Sequence, residues 1–272
     1  MPAFSFIQRV AQIAGDASFP ARCYGCGRLY HRSPRGTRAF AARRNNRSLA
    51  GLVSDVLCRD CARIDWIASP MCTLCGRPFA TTQGIDHLCA DCRQRPFSFD
   101  GARAVGVYGN ALQLLVPAFK YQGLVQLAAP LGRLMWDALA QFRDVADIDC
   151  IIPVPLHWHR KRRRGFNQAE LLIRQWPKLA RDSGVDLQAD KIVSGALIRY
   201  RSTPSQTGLG QKERKRNLRR AFRVKAVQAV LGSRVLIVDD VFTTGATADA
   251  CARALKRAGA ASVHVLTLAR AV

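Results

Sequence analysis

The sequence lacks any long hydrophobic run. No segment approaches the roughly 20 consecutive apolar residues that a membrane-spanning helix needs, so a transmembrane protein is not expected. The first 20 residues do not combine a basic start with an apolar block, which argues against a secretory signal peptide. We therefore expect a cytoplasmic protein, in which thiols stay reduced and clustered cysteines usually bind metal.

Acidic residues are also scarce. The chain holds 19 Asp and Glu against 42 Lys and Arg, which gives a formal charge of +23. Residues 156–223 carry 18 basic and 5 acidic side chains, and residues 1–66 carry 11 Arg, no Lys and 4 Asp. Clustered positive charge attracts polyanions such as nucleic acid, phosphorylated metabolites or acidic lipid. We expect a partner of this kind, although a solvated basic surface has the same composition.

The cysteines form a repeated pattern. Eight of the ten fall into four CxxC pairs, within CYGCGR (23–28), LCRDC (57–61), CTLCGR (72–77) and LCADC (88–92). Two residues between thiols let both sulfurs face one ion, and two pairs complete a tetrahedral zinc site that leaves no position open for catalysis. Two structural zinc ions are therefore predicted. Their ligands are Cys23, Cys26, Cys58, Cys61, Cys72, Cys75, Cys89 and Cys92.

The repeat also predicts how the pairs combine. The first two pairs share one zinc and the last two share the other, while an interleaved pairing remains possible. His31 or His87 could replace a thiolate. The first half holds 18 more residues between its pairs than the second, in an Arg-rich insertion near residues 31–47. Cys150 and Cys251 lie outside the repeat and are expected in the core.

After residue 97 the pattern changes to alternating strands and helices. Apolar segments predict strands at 102–108, 149–155, 196–200, 221–224, 234–240 and 262–269. Helical spacing of apolar residues predicts helices at 110–122, 124–142, 166–182 and 246–259. This order is typical of an α/β domain, a mainly parallel sheet with helices on both faces. We predict two domains, an N-terminal region with tandem zinc ribbons at 1–97 and the α/β domain at 98–272.

The segment VLIVDDVFTTGATADAC (235–251) carries the strongest candidate site. Asp239 and Asp240 end an apolar strand, and a turn into the next helix follows them. Amides at a helix N-terminus, with hydroxyls beside them, bind phosphate. Carboxylates accept hydrogen bonds from a diol and can hold a divalent metal through water. Diol and phosphate together indicate a ribose 5-phosphate. The turn residues are Thr243, Thr244, Gly245, Ala246 and Thr247.

VLIVDDVFTTGAT resembles the phosphoribosyl-pyrophosphate (PRPP) signature of type I phosphoribosyltransferases. The CxxC pairs, IIPVPLHWHRKRRRGFNQAELL, RYRSTPSQTGLGQKERKRNLRRAF and this signature together resemble the ComF/GntX family of competence-associated proteins. The resemblance implies a type I phosphoribosyltransferase-like domain behind an N-terminal zinc ribbon. It also implies that the two acids contact the ribose hydroxyls, that the turn holds the 5-phosphate, and that Mg²⁺ accompanies PRPP.

Two basic segments complete the predicted site. Residues 153–168 resemble the pyrophosphate loop of phosphoribosyltransferases, and Trp158 within them either stacks on a base or packs in the fold. Residues 201–220 are predicted to form a mobile flap between strands. Guanidinium groups in both segments suit phosphate oxygens of pyrophosphate or of nucleic acid. The candidate contacts are Arg160, Lys161, Arg162, Arg163, Arg164, Arg214 and Arg216.

Two functions follow from the resemblance. The first is a ComF-type protein that binds PRPP or a phosphoribose and handles single-stranded DNA in natural transformation, with a further protein of the competence machinery as a possible partner. The second is an active, amidophosphoribosyltransferase-like enzyme that transfers the 5-phosphoribosyl group of PRPP to an unknown acceptor. A glutamine-using version needs a nucleophilic Cys, often at the mature N-terminus, whereas this chain begins Met1-Pro2. No catalytic residue is assigned from the sequence.

Overall fold

The computed structural model describes residues 20–32, 51–200 and 221–272. Contacts divide them into two compact units. The first unit comprises the described residues up to Asp65 together with Gly109–Leu115, and the second comprises those from Trp66 to Tyr108 and from Val116 to Val272. The predicted boundary after residue 97 falls within the second unit, so the second half of the cysteine repeat belongs to the same unit as the α/β sheet.

The first unit is small and contains the first half of the repeat. Strand β1 (Ala21–Arg22) pairs antiparallel with β2 (Leu29–Tyr30). The CxxC turn lies between them, and the phenol of Tyr30 donates to the backbone carbonyl of Ser54 at 2.7 Å. Burial of a few apolar side chains completes the unit. They include Val53, Leu57, Ala62 and Ile64.

The second unit contains a four-stranded parallel sheet and a short antiparallel hairpin. Its strands are β3 (Gly101–Val107), β4 (Cys150–Pro153), β5 (Leu197–Arg199), β6 (Phe222–Val224), β7 (Arg234–Phe242) and β8 (Ser262–Arg270). The sheet order is β3-β8-β7-β4, and β5 pairs with β6. Residues 235–238 of β7 are all buried, as expected for a parallel strand covered on both faces.

The described residues form eight α-helices, and those at 128–142, 168–173 and 246–257 pack against this sheet. The eight helices are α1 (Ala90–Gln94), α2 (Asn110–Tyr121), α3 (Ala128–Phe142), α4 (Trp158–Arg164), α5 (Gln168–Ile173), α6 (Trp176–Asp182), α7 (Val227–Val230) and α8 (Ala246–Arg257). Cys251 of α8 shares one core with Cys150 and Ile237 of the sheet. On α3, Gly132 allows the α3 backbone to approach that of Leu172 in α5, because any side chain at position 132 would overlap the carbonyl of Leu172.

The predicted fold class is confirmed, and Cys150 and Cys251 are both buried as expected. Two local predictions are wrong. The helix predicted over 166–182 is two helices, α5 and α6, because Pro177 stands in the first turn of α6. Part of the predicted loop 153–168 is helix α4, which Gly165 ends with a left-handed φ of 79°. Within the described ranges, no helix has the length and apolar character needed to cross a membrane.

Candidate functional site

The eight CxxC thiols form two groups. In each group the four sulfurs lie within 4.8 Å of one another, and the grouping is the one that the repeat predicts. Neither group includes His31 or His87, and the His87 ring instead stacks on Phe79 with centroids 4.1 Å apart. All ten cysteines are free thiols. Each group can therefore hold one metal ion. The groups are Cys23, Cys26, Cys58 and Cys61, and Cys72, Cys75, Cys89 and Cys92.

The donor set of both groups fits zinc. In the second group, Cys72 Sγ accepts hydrogen bonds from the amides of Cys75 and Cys89, each at 3.4 Å. Burial would raise the pKa of Cys72, but these amide bonds outweigh it and lower that pKa to about 6. Burial and the neighbouring thiols raise the pKa of Cys92 well above its ordinary value. Four adjacent thiols cannot all ionise without a cation among them, and a tetrahedral divalent ion supplies that charge.

The acid pair lies at the carboxyl end of β7. The strand continues two residues past Asp240 and ends at Phe242, so it is longer than predicted. Because side chains alternate along a strand, Asp239 and Asp240 point to opposite faces of the sheet. One oxygen of Asp239 accepts the amide hydrogen of Asp240 at 2.8 Å, which fixes the first carboxylate against the backbone.

Lys120, at the end of α2, completes this acid pair. Its Nζ lies 2.7 Å from Asp240 Oδ1, and the two side chains are only 17% and 12% exposed. Burial would lower the pKa of Lys120, but the nearby Asp240 carboxylate outweighs it, so the pKa of Lys120 is raised. Sequence analysis did not identify Lys120, because it is 120 positions away from Asp240 and only the fold brings the two together.

Asp239 has an unusual proton affinity. Burial first, and then the negative charge of Asp240, raise the pKa of Asp239 to about 7, while Lys120 opposes the shift. A carboxylic acid with this pKa exchanges its proton near neutral pH. The end of β7 therefore combines one ion-paired carboxylate, at Asp240, with a second acid that both donates and accepts hydrogen bonds.

The threonine turn connects β7 to α8. Gly245 adopts a left-handed φ of 73° and directly precedes the first residue of α8. A side chain there would come within 2.6 Å of the Phe242 ring, so glycine is required both by conformation and by space. Thr244 Oγ1 accepts the amide hydrogen of Ala246 at 3.4 Å. The 12-residue helix α8 thus begins with amides and hydroxyls close to the acid pair, an arrangement that favours an anion.

Helix α4 presents the predicted basic segment. Trp158 is 53% exposed and stacks on His159 with ring centroids 4.0 Å apart, so it is not a packed core residue. The Arg164 guanidinium lies over the ring of Tyr121, 4.7 Å from its centroid, and Tyr121 is 71% exposed. Tyr121 directly follows Lys120, so α4 lies beside the same end of α2 that reaches the acid pair.

Several predicted residues lie outside the described structure. They are the side chain of Arg160, the whole segment 201–220 with Arg214 and Arg216, and residues 33–50, which include most of the Arg-rich insertion. Three of the predicted contacts have partners within the described residues. Lys161 lies 3.8 Å from Glu170. The guanidinium of Arg162 lies 6.0 Å from the centroid of the Trp158 ring, and that of Arg164 lies over the Tyr121 ring.

Comparison with known proteins gives concordant results. A family model described as a phosphoribosyl transferase domain matches residues 183–271. The DNA utilization protein YhgH of Salmonella typhimurium is 36% identical over 220 residues, which cover 79% of this chain and 90% of that protein. Competence protein F of Haemophilus influenzae is 32% identical over 206 residues, covering 74% and 85%. The chain belongs to the ComF/GntX family. A more distant ComF relative, competence protein ComFC of Bacillus subtilis, is 27% identical over 224 residues, covering 79% and 84%.

The matched domain of this ComF-family protein contains only part of the candidate site. Asp239, Asp240 and the threonine turn lie within residues 183–271, whereas Lys120 and helix α4 precede them. The acid pair therefore comes from the matched domain, and its cationic partner comes from the preceding part of the α/β unit.

The raised pKa of Asp239 predicts a pH-dependent stability. The unfolded pKa of Asp is about 3.9, so between pH 4 and 7 the folded protein retains a proton that the unfolded chain releases. The contribution of Asp239 to the free energy of unfolding consequently falls as pH rises through this window and is constant above it. Asn cannot ionise, so Asp239→Asn should become more stable than the wild type by about 1–3 kcal/mol towards pH 8.

Urea unfolding of the zinc-loaded protein at pH 5, 6, 7 and 8 measures this difference. Asp182→Asn, at an exposed acid in α6, is the matched control and should follow the wild type at every pH. A difference between Asp239→Asn and the wild type that stays constant across this range would contradict the assigned proton affinity.

Proposed function

We propose that this ComF-family protein binds a 5-phosphoribosyl ligand, PRPP or a phosphoribose, and handles single-stranded DNA during DNA uptake in the cytoplasm. Asp239 and Asp240 accept hydrogen bonds from the ribose hydroxyls. The turn at residues 243–247 holds the 5-phosphate. Helix α4 contacts pyrophosphate or the nucleic-acid backbone. A protein of the competence machinery is a further partner that the family relationship suggests.

The observation that carries the ligand assignment is the acid pair beside a helix N-terminus. A phosphoribose presents a diol and a phosphate, and these are the groups that carboxylates and helix N-terminal amides recognise. Two carboxylates beside a phosphate would repel it, but Lys120 neutralises Asp240 and the pKa of Asp239 lies near neutrality. The site can thus accept an anion despite its acids. Bound PRPP would bring Mg²⁺ at its pyrophosphate, and the acid pair can hold this ion through water.

The exposed face of α4 supports the DNA assignment. Single-stranded nucleic acid is bound by positive charge along the backbone and by aromatic rings on which bases stack. Five consecutive basic residues occupy positions 160–164, and exposed Trp158 and Tyr121 lie next to this run. Curated relatives carry the names DNA utilization protein and competence protein, which agree with a partner of this class.

One observation favours the second candidate, an active amidophosphoribosyltransferase-like enzyme that transfers the phosphoribosyl group to an unidentified acceptor. Asp239 has a pKa of about 7, and a group that gains and loses a proton near the working pH is suited to general acid–base catalysis. Incubation with PRPP and Mg²⁺, with and without amine, amide or base acceptors, decides between turnover and binding. Pyrophosphate release that depends on Asp239 supports the enzyme. PRPP that remains intact while bound supports the binding protein.

The ligand assignment predicts the effect of removing the acid pair. Asp239→Ala combined with Asp240→Ala should weaken PRPP binding at least about 100-fold, since hydrogen bonds to charged groups contribute about 1.5–3 kcal/mol each. Calorimetric titration with PRPP and Mg²⁺ measures the loss, and elemental analysis should still return two zinc ions per chain. Asp182→Ala combined with Asp186→Ala removes the same charge at exposed positions and should bind PRPP normally. Wild-type affinity in the first variant would refute the site.

The DNA assignment predicts two separable effects on affinity for a single-stranded oligonucleotide. Trp158→Ala should weaken binding by about 1–3 kcal/mol, roughly 5- to 150-fold, without changing its salt dependence, because stacking releases no counterions. Replacement of the three arginines at 162–164 by Ala should make the slope of log K against log salt shallower by about 2.

A matched variant tests whether the location of the charge matters. Ala at Arg174, Lys178 and Arg181 removes three charges from exposed positions of the same unit and should leave the salt slope close to wild type. Equal slopes in the two triple variants would mean that the DNA does not follow α4. Filter retention at four salt concentrations measures all the slopes.

A further inference from the structure

Arg270, the last residue of β8, is a buried cation that contacts the second cysteine group. It is 7% exposed, and its Nη1 donates to the carbonyl of Cys75 at 2.6 Å. Its Nη2 lies 3.4 Å from Cys75 Sγ, within hydrogen-bonding range of sulfur. Among residues 20–32, 51–200 and 221–272, no carboxylate forms an ion pair with Arg270. Within these residues the guanidinium is instead held by the carbonyl and the sulfur of Cys75.

The same guanidinium also covers the end of β7. Its Cζ lies 4.5 Å from the centroid of the Phe242 ring, and the two residues are opposite each other in the β7–β8 register. The carbonyl of Phe242 accepts the amide hydrogen of Ala271 at 2.9 Å, which continues the pairing past the end of the strand. Arg270 thus lies between a cysteine ligand on one side and an aromatic ring on the other.

Phe242 in turn supports the threonine turn. Its ring occupies the space where a side chain at Gly245 would lie, with 2.6 Å from the ring Cζ to that position. Phe97 and Phe99, which follow the last metal-binding segment, make edge contacts with Phe242 at 6.2 and 6.0 Å between centroids. The amide of Ser98 donates to Asp249 of α8 at 2.8 Å. The turn is packed against residues that the metal-binding segment and Arg270 hold in place.

From these contacts we infer that Arg270 is a positioning residue that couples metal binding in the second cysteine group to the shape of the phosphate-binding turn. A divalent ion held by the four cysteines would cross-link the turn that carries the carbonyl and sulfur of Cys75, and these two atoms accept from the Arg270 guanidinium. Without the metal this turn is no longer cross-linked, and Arg270 loses its fixed acceptors while it remains buried. The resulting shift of Arg270 releases Phe242, and the turn at Gly245 loses its support.

The coupling works in both directions. If metal binding favours one conformation of the turn, a ligand that favours the same conformation must also favour metal binding. A ligand that orders the turn must also stabilise the metal in the second group. This consequence rests on the proposed function, because it requires the turn to bind a phosphoribosyl ligand. The effect of the metal on the turn does not require any ligand.

Arg270→Met keeps an unbranched apolar side chain and removes the charge and donors of the guanidinium, so it tests the inference. Hydrogen exchange of the amides at 243–247 should be at least ten-fold faster in this variant than in the wild type, while exchange in the β5–β6 hairpin is unchanged. One of the two zinc ions should transfer to a chelator at least ten-fold faster. Arg270→Lys, which keeps the charge, should restore part of both properties. A general loss of structure would instead raise exchange throughout.

Arg77→Met is the matched control. Arg77 lies on the same cysteine segment, but its Nη1 donates to the exposed Asp91 at 3.0 Å. The Arg77→Met variant should retain the wild-type rates of amide hydrogen exchange and zinc release. PRPP with Mg²⁺ should slow the release of one zinc in the wild type and in Arg77→Met, and should not slow it in Arg270→Met.

A second variant covers the case in which Arg270→Met does not fold. Phe242→Leu keeps Arg270 and every thiol, and removal of zinc from it should no longer accelerate exchange at 243–247. Acceleration equal to that of the wild type would overturn the inference, as would wild-type zinc release in a folded Arg270→Met. If the wild type binds no phosphoribose, the proposed function fails, while exchange and zinc release still decide the role of Arg270.

Discussion

The ion pair between Lys120 and Asp240 is the interaction on which the candidate site depends. A carboxylate at the end of an apolar strand loses most of its hydration, and leaving it without a partner costs about 3–5 kcal/mol. Lys120 supplies the partner from the end of α2, at 2.7 Å. The same contact therefore connects the end of α2 to the acid pair. Burial first, and then the negative charge of Asp240, raise the pKa of Asp239 to about 7.

A second buried cation, Arg270, lies at the same edge of the sheet. Near the ends of β7 and β8, side chains contact other segments: Asp240 forms an ion pair with Lys120, and Arg270 contacts Cys75. The two strands are adjacent and parallel, so the acid pair, the turn and the metal-binding segment converge where they end. The two cations at this edge, Lys120 and Arg270, are thus held by a carboxylate and by the carbonyl and sulfur of a cysteine.

Structural features that depend on residues close together in the sequence could be predicted from it. The strands, the cysteine grouping and the turn at Gly245 follow from local spacing, and each is present. Lys120 could not be predicted, since no local pattern connects it to a carboxylate 120 residues away. Helix α4 was missed because its position after a strand suggested a ligand loop, although arginine and lysine favour helices. The exposure of Trp158 depends on what packs around α4, which the sequence does not show.

The two halves of the cysteine repeat show how the same local chemistry can serve different structural roles. Both CxxCGR turns are closed by the same backbone hydrogen bond. The amide of Gly27 donates to the carbonyl of Cys23, and the amide of Gly76 donates to the carbonyl of Cys72, each at 2.9 Å. Both glycines have a left-handed φ, of 71° and 68°.

Their surroundings differ. A side chain at Gly76 would overlap the carbonyl of Ala102 in β3, whereas at Gly27 the nearest atom is the end of a flexible arginine, at 4.0 Å. The second turn is thus packed against the sheet that carries the candidate site, and Arg270 contacts its thiol. Loss of a metal from the second group would then disturb the sheet edge, whereas the first half of the repeat belongs to a separate unit. The repeat therefore provides one four-cysteine group in a small separate unit and a second group that packs against the sheet carrying the candidate site.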